Sequence, residues 1–422
     1  MVILTILQDS ILPQHLVSSS WIPGVFGWIA AILLIDRIKP AQRWQIAAIA
    51  VFGAAIHFVA ISRGADVDFG RVIGINTGLI SMIAAVGFLR LVVSPGQADE
   101  KLPVGNRSYY RTMAGVWLFG SVINISAPII FADRLAQRDG LGRLAAQSIV
   151  RVFTSCSGWS PFFGGMAVVL TYVPNVNLGL VMLLCLPFSL LGLAIVLAEG
   201  RIRFGEEVRR FRGYPVRFSS LWVPAVLAFV VMLLSWLAPS WSVLTHISIA
   251  ALAVSIIGLK IWRSWSELIQ ELTRHVTNHV PGMINELSLF LVAGILATGL
   301  ASFLASDIGL IPRSEFALSQ AIVLLGVMVL LAVAGVHPVV TISGATPILL
   351  SFDPNPNLLP IVYLLAWSLG TRASPLSGRH LVFQGRYGIS NWRAAVGNWN
   401  YVAVMYIAAL PFLFCVNAIF TG

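Results

Sequence analysis

Gly335-Val336-His337-Pro338, followed after a run of small apolar residues by Pro354-Asn355-Pro356-Asn357-Leu358, echoes an earlier stretch of the same chain. That stretch is Gly158-Trp159-Ser160-Pro161, followed in the same way by Pro174-Asn175-Val176-Asn177-Leu178. The first elements lie 177 residues apart (161 to 338) and the second 180 (174 to 354), so a short insertion aligns them. The pattern reads as an internal duplication. In a membrane protein, paired interruptions of apolar segments at corresponding places in two halves point to a binding site at the repeat interface.

Membrane residence follows from composition. Hydrophobic residues make up 58% of the 422 and charged residues 10%. Apolar runs of about 20 residues, the length that crosses a bilayer core, recur along the chain. The candidate spans are 19–36, 44–62, 72–94, 112–132, 178–199, 220–238, 241–262, 284–304, 316–334, 357–371 and 398–420. Shorter stretches at 141–157, 159–172 and 338–351 read as re-entrant arms. The expected fold is an all-α polytopic membrane protein of about 10–12 transmembrane helices, with two re-entrant helical hairpins in two repeated halves. Its divisions are lead-in helices 1–111, a first repeat unit 112–200, a basic loop with two linking helices 201–281, a second unit 282–395 and a closing helix 396–422. Residues 1–17 lack a positive n-region and contain Pro13, so they read as an interfacial lead-in rather than a cleaved signal.

The net charge of +10 does not call for nucleic acid. Arg201, Arg203, Arg209, Arg210, Arg212 and Arg217 share one loop, and Arg372, Arg379, Arg386 and Arg393 follow the last acidic residue, Asp353. Both regions are expected on the cytoplasmic side, as topology signals that also attract anionic lipid heads. Cys156, Cys185 and Cys415 form no CxxC pair, so neither a disulfide framework nor a metal site is expected, and no cofactor motif is present.

The interruptions carry the chemistry. In Ser160-Pro161 and His337-Pro338 the proline suits a first helical position and the preceding side chain suits a cap. A half-helix start at membrane depth exposes N–H groups and partial positive charge, which favours an anion. Thr154, Ser155, Cys156, Ser157 and Ser160 surround the first start, and His337, Thr341, Ser343 and Thr346 the second. Gly158, Pro161, Gly335, Pro338 and Pro375 are the expected helix breaks, the last in Arg372-Ala373-Ser374-Pro375, which adds Arg372 and Ser374 to the candidate substrate site. Asn124-Ile125-Ser126-Ala127-Pro128 is a weaker counterpart in the first unit. For a single hydroxyl, back-bonding within its helix is the stronger reading; the two clusters together favour binding. Arg151 either holds a carboxylate or phosphate bidentately or snorkels to an interface. Glu286 and His337 are coupling candidates, against simpler roles as helix-start residues. His57 and His246 read as packing residues.

These features resemble the ion transporter superfamily, the secondary carriers that include dicarboxylate and citrate symporters, arsenite permeases and the large membrane subunits of TRAP transporters. The resemblance covers roughly 112–395 and rests on the Ser155-Cys156-Ser157 to Pro161 tip, the Gly335-Val336-His337-Pro338 tip with Pro347 beyond it, and a central basic loop. It implies two hairpins entering from opposite faces, substrate between their tips, and elevator-like movement. Site roles carry over to Ser155, Cys156, Ser157 and Pro161, and to Gly335, His337, Pro338 and Thr341. The first tip lacks the family's asparagine, which leaves proton as well as sodium coupling open. Counting spans sets one conflict: 112–132 and 284–304 run in the same direction, whereas inverted repeats need opposite ones. A full crossing within 134–172 or an embedded 263–279 would remove it.

The resulting expectation is a secondary active transporter of the cell inner membrane for a small anion, an organic acid above all, coupled to protons or sodium. A homodimer is one state open to such a carrier. A flippase or permease subunit for a lipid-linked substrate is the alternative. A membrane-embedded enzyme is disfavoured, since HExxH, GxSxG and carboxylate clusters are lacking.

Overall fold

The computed structural model describes residues 1–11, 21–92, 103–123, 126–136, 140–213, 222–306 and 316–421. Asn124, Ile125, Gln97–Lys101, Pro13 and Arg217 therefore lie outside the described residues. No strand forms among those described, and the single bridge between Val104 and Arg212 is isolated. The chain is an all-α polytopic membrane protein. Among the described residues six helices are long and apolar enough to cross a bilayer: Gln42–Ser62, Phe69–Leu91, Leu178–Arg203, Val243–Ile261, the apolar part of Trp265–Ser306, and Asn391–Phe420. Large side chains such as Phe52, Phe58, Leu183, Ile407 and Phe414 stand exposed on them. In water that surface would aggregate; facing lipid it needs no cover.

Two helix pairs fold back on themselves. Asn106–Ile123 packs against Ser126–Ala136, and Leu318–Val333 against Pro338–Leu350. Each pair is followed by a span interrupted at a Ser-Pro: Arg143–Cys156 then Gly164–Tyr172, and Leu358–Ala373 then Gly378–Tyr387. A long helix completes each set, Leu178–Arg203 in one and Asn391–Thr421 in the other. The helices after the breaks start 214 residues apart (164 to 378), both at the glycine of Ser-Pro-x-x-Gly, and the long helices 213 apart (178 to 391). Packing repeats as well. The first arm of each hairpin lies on the broken span and long helix of its own set, and each long helix also touches the other set's broken span.

The motif pair separated by 177–180 residues thus joins unlike elements. Pro338 opens a helix as expected, with His337 Nδ1 accepting the Val339 N–H at 3.2 Å. Pro161 does not: the helix starts at Gly164, and Ser160 Oγ accepts the Phe162 N–H at 3.2 Å to close a turn. The segments 141–157 and 159–172, expected as re-entrant arms, are two parts of one crossing. Their 14 and 9 helical residues rise roughly 35 Å together, enough for a core of about 30 Å. The expected span 112–132 is instead shared between the two arms of a hairpin.

The second hairpin turns on a glycine for a conformational reason. Gly335 has φ +100°, and its N–H and that of Val336 donate to the carbonyls of Ala332 and Leu331, closing a Schellman motif that residues with a Cβ resist.

The direction conflict disappears on this arrangement. Counting Trp222–Leu237, which at 16 residues is shorter than those six, together with Val243–Trp262 and Ile284–Ser306, three crossings separate the two sets. An odd number brings the second hairpin in from the opposite face. Trp265–Asn278 has the amphipathic form of an interfacial helix: Trp265, Ile269 and Val276 form an exposed apolar stripe, and a Ser264/Glu267 capping box fixes its start. The Val104–Arg212 bridge, the Arg90–His279 contact and the Arg386–Asp133 pair tie basic segments to their neighbours, and the crossing count sets these segments on one face, which the positive-inside rule leads us to expect on the cytoplasmic side.

Candidate substrate site

The second hairpin tip and the two breaks meet around a small polar cavity of about 50 Å³. That space admits a few water-sized groups, such as the head of one anion. His337 comes from the tip; Phe153, Phe163 and Gly164 from the first broken span; Trp367, Thr371, Ser377, Gly378 and Arg379 from the second; Glu286 and Phe290 from Ile284–Ser306. The walls are aromatic. Trp367 meets the His337 ring edge-on at 5.2 Å and lies parallel to Phe290 at 6.3 Å. Gly165 brings the first broken span onto Trp367 so closely that a Cβ there would stand 2.8 Å from the indole Cγ.

Arg379 supplies positive charge on the cavity wall, and Arg372, a candidate from the sequence, is buried nearby but does not line the cavity. Arg379 is 9% exposed; its guanidinium sits 5.2 Å above the Phe153 ring, and its Nη1 has no hydrogen-bond partner. Arg372 is fully buried, donates from Nε to Thr154 Oγ1 and from Nη2 to Ser368 Oγ at 3.1 Å, and leaves Nη1 unpartnered. Its guanidinium also lies 5.1 Å above the Tyr401 ring. Buried guanidinium N–H groups are strong donors whose desolvation is uncompensated until an acceptor arrives. Glu286 is the carboxylate on the cavity wall, standing against Gly378 at the N-terminus of Gly378–Tyr387. Ser377 caps that helix start.

The other expected site residues are placed differently. Arg151 is held by Glu199, by Asn398 Oδ1 at 2.8 Å and by the Gly397 carbonyl at 2.7 Å, under the Tyr401 ring. Its donors are committed, so it ties helices together and stands apart from the cavity. Ser155 and Ser157 donate to Val152 and Thr154 carbonyls, both at 2.6 Å, and Cys156 Sγ contacts the Trp117 carbonyl at 3.1 Å. Thr341, Ser343 and Thr346 donate to Pro338, Val340 and Ile342 carbonyls at 3.0, 3.2 and 2.6 Å. These hydroxyls back-bond within their helices and do not line the cavity. Ser160 donates to the Ser121 carbonyl, fastening the first break to the first hairpin. Ser374 Oγ accepts the Leu376 N–H at 3.3 Å, and the Ser374 carbonyl meets His380 Nδ1 at 2.8 Å. Gly158 and Pro161 shape the first break, Gly335 and Pro338 the tip, and Pro375 the second break.

Arg379, Trp367, Thr371 and Ser377 were not singled out for the site from sequence. For Ser377 and Arg379 the available signal was the repeated Ser-Pro-x-x-Gly, which contains the first and sets the second directly after the helix-start glycine; Trp367 and Thr371 lie outside that motif.

No protein-family model matches the chain, and no curated protein sequence matches it either. The fold does have a counterpart. The solved structure of the YdaH transporter from Alcanivorax borkumensis, described as having an unusual topology, superposes with a TM-score of 0.54 over 92% of this chain and 98% of that one, at 11% identity. At that identity the likeness shows a shared fold.

Proposed function

We propose that this chain is a secondary active transporter of the inner membrane that carries a small anion, an organic acid above all, by alternating access. The observation that carries this reading is the buried, unpartnered Nη1 of Arg379 in a cavity bounded by a hairpin tip and both broken spans. An anionic head group would accept from Arg379 and from the open N–H groups of the helix starting at Gly378, within aromatic walls that exclude water. The fold shared with the YdaH transporter and the meeting of elements from both sets support the reading. The finer resemblance to the ion transporter superfamily agrees with a substrate held near a hairpin tip, but here Arg379 takes the place of the hydroxyl clusters.

Coupling to a proton or sodium gradient completes the proposal, with Glu286 as the coupling residue. Its carboxylate faces the same cation that the substrate uses, so neutralising it favours anion entry. His337, engaged through Nδ1 in capping, is the weaker candidate.

The test begins with thermal-shift screening of the purified protein against organic acids, sulfonates and inorganic anions, with and without sodium. Uptake of each stabilising compound into proteoliposomes under imposed pH or sodium gradients follows. Arg379→Gln should abolish uptake while retaining a monodisperse, helical protein. Uptake at the native rate in that variant would overturn the assignment.

A further inference from the structure

A second cavity, of about 350 Å³, lies on the cytoplasmic side of the first and shares Glu286 and Gly378 with it. Its wall gathers Lys39, Arg90, His275 and His279, with Glu286 as the carboxylate at its inner end. These residues come from three separate regions of the chain: the turn before Pro40–Ser62, the end of the Phe69–Leu91 crossing, and the stretch that runs from Trp265–Asn278 through the turn after it into Ile284–Ser306.

Hydrogen bonding defines what the chamber offers. Arg90 Nη1 donates to His279 Nδ1 at 2.7 Å, which leaves the proton of a neutral His279 on Nε2 as a further donor. His275 is 2% exposed, packs on Phe88 with ring centroids 4.3 Å apart, and has neither ring nitrogen hydrogen-bonded. The Lys39 backbone N–H donates to Asn285 Oδ1 at 2.8 Å, which fixes the lysine at the rim. The chamber thus presents donors and positive charge with one carboxylate to balance them. Ordinary packing does not account for it, because a buried imidazole normally satisfies at least one nitrogen.

We propose that this chamber is a second oxyanion-binding subsite, which receives a phosphate- or carboxylate-type group from the cytoplasmic side and passes it to the central cavity past Glu286. The inference rests on the anion-transport reading above. Arg90 and Lys39 supply charge, His275 and His279 supply directed donors, and the Glu286 carboxylate separates the two subsites by repelling an anion in either one. Stepwise transfer between two cationic sites lets an anion leave water without crossing an uncompensated apolar stretch.

The experiment measures binding of radiolabelled inorganic phosphate to the full-length protein in nanodiscs of phosphatidylcholine. Two classes of site are expected. Arg90→Gln should weaken one class by about tenfold or more, as loss of a charged donor does, and Arg379→Gln should remove the other. Lys39→Gln, at a half-exposed position, should weaken the Arg90-dependent class without threatening the fold. If Arg379→Gln removes all binding and neither chamber substitution has an effect, the second subsite is overturned while the central reading stands. If only the chamber substitutions matter, the chamber binds the anion but the central reading and the transfer role are overturned; no saturable binding overturns both. Repeating the titration with phosphatidylglycerol in the bilayer separates the sources. Unchanged phosphate binding supports a soluble ligand, whereas displacement assigns the chamber to a lipid head group and overturns the transfer role.

Discussion

Arg372 donates from its Nε to the hydroxyl of Thr154, joining the two broken spans beside their breaks although the residues stand 218 positions apart. The bond sits where the chain gives up its own helical hydrogen bonds. The Thr154 carbonyl receives Ser157 Oγ at 2.6 Å and Ser368 Oγ at 2.8 Å, so side chains from both spans satisfy the frayed end of Arg143–Cys156. Thr154→Val keeps the volume and removes the acceptor, leaving a buried guanidinium N–H without a partner. The expected cost is about 1–3 kcal/mol. It should appear as a lower thermal midpoint in detergent, with Thr154→Ser near the native value; equal midpoints for Val and Ser would remove the hydroxyl from the account.

Arg151 leads to a contrasting expectation. Its donors are already spent on Glu199, Asn398 and Gly397, so Arg151→Gln should destabilise the protein by on the order of 2 kcal/mol. Glu199 keeps Arg203 at 2.8 Å, which limits the loss. Apparent substrate affinity in proteoliposomes should stay within about twofold of native, well under the tenfold that 1.4 kcal/mol gives. A selective fall in affinity with unchanged stability would return Arg151 to the substrate site.

Glu286→Gln tests coupling. Removing the carboxylate from the cavity wall removes a repulsion against the anion, and roughly tenfold tighter equilibrium binding is expected for about 1.4 kcal/mol of relief. Substrate exchange should survive, but accumulation driven by a pH or sodium gradient should be lost. Gradient-driven uptake at the native level in Glu286→Gln would assign coupling elsewhere.

How much of this was legible follows from which surfaces face lipid. The continuous spans declare themselves because lipid demands about 20 apolar residues in a row: 178–199 and 284–304 each fall within an observed helix, and 241–262 overruns the start of Val243–Trp262 by two residues. Arg143–Cys156 does not declare itself. It carries Gln147, Ser148, Arg151 and several hydroxyls, and it can do so because the first hairpin and the long helices enclose it. Hydropathy reports contact with lipid, so a crossing wrapped in protein reads as a polar arm. The same limit hid Arg379. It follows the second break in a segment that reads as a basic loop, and the carboxylate that shares its cavity lies at Glu286 in a different helix. The fold class was legible, whereas the pairing of breaks needed the packing.

Gly165 offers a steric test of the site walls. A Cβ at this position would stand 2.8 Å from Trp367 Cγ, and a buried indole stacked near Phe290 has little room to withdraw. Gly165→Ala should therefore push the helix Gly164–Tyr172 away from the second broken span, at an overpacking cost of about 1–3 kcal/mol. Transport should fall more than stability, because the displaced wall belongs to the cavity. Trp367→Phe in the same protein should restore part of the lost uptake by clearing the indole; no restoration would mean that the glycine serves the helix rather than the cavity.

Asp133 and Arg386 separate stability from movement. Arg386 grips the carboxylate through Nε and Nη2 at 2.6 and 2.7 Å, and Tyr387 adds its hydroxyl at 2.7 Å, linking the second arm of the first hairpin to the end of the second broken span. Arg386 is 54% and Asp133 38% exposed, so the pair contributes only about 0–1 kcal/mol to folding. If the proposed alternating access moves Gly378–Tyr387 relative to this hairpin arm, a bidentate clasp opposes that movement directly. Asp133→Asn should leave the thermal midpoint almost unmoved while altering the transport rate several-fold, and raising salt should move the native rate in the same direction because screening weakens the same clasp. A rate that ignores both the substitution and the salt would show that the two elements travel together as one body.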